Sequence, residues 1–73
     1  MTLRNQRRVF IDTNAGSDQE GYILWFNQSI SDLSKIGGDL EGKQVIAYMP
    51  EEVEFDAILR FDGELGFWRA FPL

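Results

Sequence analysis

Oxygen-bearing side chains recur along a polar stretch near the N-terminus, at Asp12, Asn14, Asp18 and Glu20. Calcium binds about six to eight oxygen ligands around a folded loop, so these four residues are candidate ligands for that cation. An EF-hand loop, however, has glycine at its sixth position and a bidentate glutamate at its twelfth, where this chain has Ser17 and Ile23. We therefore predict a polar hairpin loop at this position and no bound metal.

A second candidate chemistry belongs to the carboxyl groups of Glu54 and Asp56, which lie two positions apart in an alternating segment. On one face of a strand this spacing separates their Cα atoms by roughly 6.5 to 7 Å. Paired carboxyl groups at such distances hydrolyse glycosides, but only inside a cleft that desolvates one of them. A very small domain with alternating exposed acids offers no evident cleft, so we interpret the pair as part of a solvated strand face.

The 73-residue chain contains no histidine and no cysteine. These residues most often supply the general base, the nucleophile or the transition-metal ligand near neutral pH. Carboxylates, a few cations, hydroxyls and aromatic rings remain, and they are better suited to contacting a partner than to bond chemistry. The composition therefore predicts a protein that is not an enzyme and uses no cofactor.

The formal net charge is −5, and the acidic residues concentrate in the C-terminal part of the chain. Binding of a phosphate backbone relies on lysine and arginine, so we expect no direct nucleic-acid binding and a protein partner with a basic surface. No segment approaches the roughly 20 apolar residues that span a bilayer, so we expect no membrane insertion and a cytoplasmic, soluble protein.

Period-two patterns predict strands at residues 9–13, 45–49 and 53–61. Residues 22–26 are apolar on both faces and predict the most buried strand, and the apolar residues of 67–71 predict the last strand. Residues 29–36 change to a period of three, which predicts a short helix; Ser29 and Asp32 resemble its capping box and Gly37 its stop. Pro50 and Asp62 begin turns that would join the last three strands into a meander.

These elements predict one domain over residues 1–73, with residues 1–7 as a flexible N-terminal arm. We expect a mostly β fold at the boundary with α+β: a small five-stranded antiparallel barrel or a strongly bent sheet. One short helix would lie between strands 2 and 3, and a three-stranded meander would end the chain. The order of elements resembles small barrels of the Src-homology type, and this architectural likeness implies no particular function.

The expected function is protein binding, through an acidic strand face and an aromatic patch. The candidate partner-binding residues are Glu52, Glu54, Asp56, Trp25 and Trp68. A domain of this size has a small core and lacks disulfide or zinc crosslinks, so a homodimer is one possible form of the interaction.

Two alternatives remain open at this point. In the first, the chain is a small inhibitor that imitates nucleic-acid phosphates with six acidic residues: Glu51, Glu52, Glu54, Asp56, Asp62 and Glu64. Alternatively, the interior of a barrel could bind a small anionic ligand, for which Tyr48, Arg60 and Arg69 are the candidate residues.

Overall fold

The computed structural model describes residues 7–73, which form one mixed sheet and one helix. The elements are, in chain order, β1 (Arg8–Phe10), β2 (Gly16–Ser17), β3 (Gly21–Ile23), α1 (Asn27–Ile36), β4 (Gln44–Met49), β5 (Val53–Asp62) and β6 (Phe67–Pro72). The predicted mostly β composition with one helix is confirmed.

The sheet has the strand order β1-β4-β5-β6-β3-β2, and it is open because β1 and β2 are not paired with each other. The predicted closed barrel is therefore not confirmed, and six strands replace the expected five. The prediction of wholly antiparallel pairing is wrong at one position, since β1 runs parallel to β4. The helix follows the third strand, not the second, because the polar loop itself contributes the two-residue β2.

The C-terminal meander predicted from alternation is present as β4, β5 and β6. The ten-residue β5 is longer than the six-residue β4, and their pairing stops where Ile58 faces Gln44. Alternation places Ala57 and Leu59 in the core, with no exposed surface. Phe61 has the same orientation but is 49% exposed.

The helix begins at Asn27, two residues earlier than predicted, and its N-cap Phe26 makes no side-chain capping bond. The predicted capping box is therefore wrong. A spacing of three residues puts Ser29 and Asp32 on one side of α1, and that side faces β1, where both side chains bind the main chain of Phe10. The helix ends as predicted, with the Gly37 N–H donating to the Leu33 carbonyl.

The core lies between α1 and the inner face of the sheet. Its buried members are Val9, Ile11, Tyr22, Leu24, Leu33, Val45, Ala47, Ala57, Leu59 and Ala70. The segment predicted as the most buried strand, residues 22–26, is buried only as far as Leu24; strand β3 ends at Ile23 and Trp25 is exposed.

The first strand is shorter than predicted and ends at Phe10, because a turn begins at Asp12. The side chain of Asp12 accepts the Asn14 N–H. Most of the expected N-terminal arm, residues 1–6, lies outside the described residues. Its last residue, Arg7, is exposed, and its carbonyl accepts the Ile46 N–H at 2.7 Å.

Candidate docking groove

The acidic and aromatic halves of the sequence-predicted binding surface lie at opposite ends of β5. Glu54 faces Tyr48 of β4 near one end of the strand, whereas Phe61 faces Trp68 of β6 near the other. At about 3.3 Å per residue, the Cα atoms of Glu54 and Phe61 are roughly 23 Å apart. The predicted partner-binding residues therefore form two separate regions.

The acidic end contains the exposed Glu52 and Glu54 and the half-buried Asp56. Glu54 pairs with the guanidinium group of Arg8, which also lies 4.7 Å from the centre of the Tyr48 ring. This cation offsets part of the negative charge that the sequence concentrates here.

The aromatic end contains an apolar groove of about 400 Å³ between α1 and the end of the β5–β6 hairpin. None of its lining side chains is ionisable. They are Leu24, Ile30, Leu33, Ser34, Leu40, Phe61, Phe67 and Trp68, with Gly66 completing the wall.

Large apolar side chains remain exposed at this end of the molecule. About half of the surface of each of four residues is accessible to solvent: 50% for Trp25, 48% for Ile30, 49% for Phe61 and 49% for Leu65. Trp68 is half-buried and packs against the core. Ile30 and Phe61 line the groove directly, Trp25 contacts it through Phe67, and Leu65 belongs to the turn beside it.

Edge-to-face ring pairs hold the aromatic side chains of the groove in place. The Phe61 and Trp68 ring centroids are 5.2 Å apart at 68°, and those of Trp25 and Phe67 are 6.1 Å apart at 81°. Such pairs stabilise by about 0.5 to 1.5 kcal/mol beyond the area they bury. The exposed rings are therefore positioned before any partner arrives.

The turn at the end of the groove is organised by Asp62. One carboxylate oxygen accepts the N–H groups of Glu64 and Leu65, and the other accepts Nε of Arg69 at 2.9 Å. The hydrogen bond from Arg69, followed by the bond from Leu65, lowers the pKa of Asp62 below its ordinary value. The hairpin predicted from Asp62 is thus present, with four residues, 63–66, between the strands.

Ile30 and Phe61 line the groove and Leu65 lies beside it, and none of the three was among the residues predicted to bind a partner. Ile30 belongs to the period of three that predicts the helix, and Phe61 continues the alternation of the long strand, so both patterns indicate inward-facing side chains. Alternation alone therefore gave no signal for the exposure of Phe61, because Leu59, two residues earlier with the same orientation, is fully buried.

The three candidate ligand residues are only partly brought together. Arg60 and Arg69 face each other on β5 and β6 beside an open cavity of about 730 Å³, whereas Tyr48 lies toward the other end of the sheet. Arg69 already donates to Asp62 and, at 3.4 Å, to the carbonyls of Glu20 and Gly21. Its guanidinium group is therefore largely committed to the fold.

The candidate calcium residues form a local polar hairpin. Asp12 accepts the Asn14 N–H, Asp18 accepts the Tyr22 hydroxyl at 2.6 Å, and the Glu20 N–H donates to Ser17. The bond to Asp18, with burial, raises the pKa of Tyr22. Within residues 7–73, no three acidic side chains are grouped as a metal site would require.

Comparison of the chain with models of protein families, with curated proteins and with solved structures found no match. In the described part of the chain, the ten-residue α1 is too short and too polar to cross a membrane, and no other helix is present.

Proposed function

We propose that this chain is a non-enzymatic protein-binding module and that the groove between α1 and the β5–β6 hairpin is its contact surface. The observation that carries the proposal is the cluster of half-exposed apolar side chains around an uncharged groove. The largest apolar patch of a typical monomer covers about 300 to 600 Å² and is often functional. Trp, which is present here at Trp25 and Trp68, is also among the residues enriched where binding energy concentrates.

The two alternatives have less support. A phosphate mimic needs an array of unpaired carboxylates, and Arg8 and Arg69 neutralise Glu54 and Asp62, two of the six acids in question. A ligand site built on Arg69 would have to break the hydrogen bonds that this side chain already makes. Homodimer formation remains compatible with the proposal, because a second copy is one form of protein partner.

The test compares two substitutions on the same strand and the same sheet face. Phe61→Glu places a charge in the groove, whereas Val53→Glu places one at a residue that is 37% exposed at the other end of β5. Affinity capture from lysate of the native host should lose its specific proteins with Phe61→Glu and keep them with Val53→Glu. Circular dichroism and thermal unfolding confirm that both variants fold.

A third variant, Glu52→Lys with Glu54→Lys, separates the groove from the acidic end. If capture survives Phe61→Glu but is lost on charge reversal or with moderate salt, the phosphate-mimic hypothesis replaces this proposal. Sedimentation of wild type and Phe61→Glu at several concentrations shows whether the captured partner is a second copy of the chain.

A further inference from the structure

We propose that the occupant of the groove is a short amphipathic helix of another protein, with apolar side chains on its inner face and lysine or arginine at its flanks. The inference rests on the proposed function and names the class of partner. Three observations support it: the pairing of the nearby backbone, the extent of the apolar surface, and the charges around the groove.

The backbone around the groove is already hydrogen-bonded, so a partner cannot add a strand there. On β5, the Phe61 N–H donates to the Glu41 carboxylate at 3.1 Å and the Leu59 carbonyl accepts the Gly42 N–H. On β6, the Trp68 carbonyl accepts the Leu24 N–H at 2.8 Å. Recognition at this place must therefore use side chains, which is how an amphipathic helix binds a groove.

The two edges of the sheet lie elsewhere and offer little for strand addition. At the outer edge of the three-residue β1, Asp32 and Ser29 of α1 already bind the N–H and carbonyl of Phe10, and β2 is only two residues long. An extended peptide that pairs with backbone needs a longer free edge. The groove thus offers a partner apolar side chains and no free backbone edge, and a helix fits it without a backbone partner.

The size of the apolar surface favours a peptide segment over a second folded copy. A large aromatic side chain covers about 150 to 250 Å², so the half-exposed Trp25 and Phe61 together present on the order of 200 Å². Ile30 and Leu65, which are also half-exposed, add a smaller apolar area. A stable interface between folded proteins buries about 800 Å² on each side. One face of a helix of about two to three turns, roughly 11 to 16 Å long, presents the side chains i, i+3, i+4 and i+7, and the groove and its rim can bury them.

The charges around the groove favour basic flanks on the helix. The lining is neutral, and the exposed acids Asp39 and Glu64 adjoin the apolar residues Leu40 and Leu65. Lys35 is a neighbouring cation, whereas Arg60 lies 3.9 Å from Glu41. With a chain net charge of −5, these acids attract lysine and arginine at the outer positions of a docked helix.

The experiment is a selection from two displayed peptide libraries. One library fixes apolar residues at positions i, i+3, i+4 and i+7 and randomises the remaining positions; the other randomises all positions. The wild-type protein is the target of the selection. A counter-selection step against the Phe61→Glu variant discards peptides that bind outside the groove. We expect the patterned library to yield binders enriched in lysine and arginine, which become helical on binding in circular dichroism.

Selected peptides should bind Phe61→Glu at least about tenfold more weakly and Val53→Glu within about twofold of wild type. Groove-dependent binders that lack a basic bias, or that come from the unpatterned library and bind without helix formation, overturn the inference and leave the proposed function intact. A homodimer that Phe61→Glu abolishes would also overturn the inference and leave the proposed function intact, because the occupant of the groove would then be a second copy of the chain. If no selected peptide and no self-association depends on Phe61, both proposals are wrong.

Discussion

The carboxylate of Asp32 on α1 accepts the main-chain N–H of Phe10 on β1 at 3.0 Å. The same oxygen accepts the Tyr48 hydroxyl at 2.8 Å, and the Ser29 hydroxyl donates to the Phe10 carbonyl at 2.6 Å. Buried backbone groups of an edge strand are costly when unpaired. Here two helix side chains pair them, so α1 is attached to the sheet by hydrogen bonds as well as by apolar packing.

Replacing Asp32, which is 7% exposed, with alanine should lower the free energy of unfolding by about 3 kcal/mol, because the donors of Phe10 and Tyr48 lose their shared acceptor. Asp32→Asn retains an oxygen at that position and should cost less. Asp39→Ala, which removes an exposed carboxylate, should change stability by less than about 0.5 kcal/mol. Urea denaturation measures all three, and equal losses for Asp32→Ala and Asp39→Ala would show that the attachment contributes nothing.

Gly21→Ala should be destabilising by at least about 1 kcal/mol. Gly21 has a φ of 80°, and a Cβ there would lie 2.9 Å from the Phe71 ring. Both the left-handed backbone and the ring contact therefore disfavour a side chain. The matched change is Gly63→Ala, where nothing lies within 4 Å and φ is not positive, and its thermal midpoint should stay close to that of wild type.

Tyr22 should ionise above its ordinary pKa of 10.0, because its hydroxyl donates to Asp18 and a tyrosinate there would be repelled. Since the folded pKa is raised, this bond stabilises the fold fully below pH 10 and its contribution is lost as pH rises through the folded value. Asp18→Asn should lower the Tyr22 pKa, as measured by tyrosinate absorbance in a Tyr48→Phe background. An unchanged titration would mean that the bond to Asp18 is absent in solution.

Asp62 should titrate below its ordinary pKa of 3.8, chiefly because of its hydrogen bond from Arg69. A lowered folded pKa means that the stabilisation is present above pH 3.8 and is lost as pH falls through the folded value. Arg69→Met should return the pKa of Asp62 toward 3.8. Arg60 is the cross-strand neighbour of Arg69, and Arg60→Met should leave the pKa of Asp62 unaltered. Carboxyl carbon shifts in an NMR titration distinguish the two, and equal effects would indicate that only general charge matters.

The helix and the meander could be predicted from the sequence. The alternation through residues 45–61 and the turn residues at Pro50 and Asp62 define β4, β5 and their connections, since each pattern is local. The groove could be anticipated only in part. Trp25 was a candidate for exposure, but Phe61 continues the inward alternation of the buried Leu59, so alternation predicts that it is buried.

The features that could not be predicted depend on contacts between residues that are distant in the chain. The parallel contact of β1 with β4 leaves no turn signal, because the two strands are separated by two other strands and the helix. Likewise, a Ser29–Asp32 spacing is typical of a helix cap and also of two residues on one helix face. Which of these applies depends on the element that the helix meets, and that element is distant in the chain.

The parallel pairing of β1 also affects the order in which the chain folds. Strands β4, β5 and β6 are joined by short turns, whereas Arg8 of β1 pairs with Ile46, which is distant along the chain. Closing the longer loop costs more entropy, and non-local pairing is slow. We therefore expect the C-terminal hairpins to form first and to serve as the template on which β1 and α1 dock. Although β1 is synthesised before the other strands, it cannot take its place until β4 has been made.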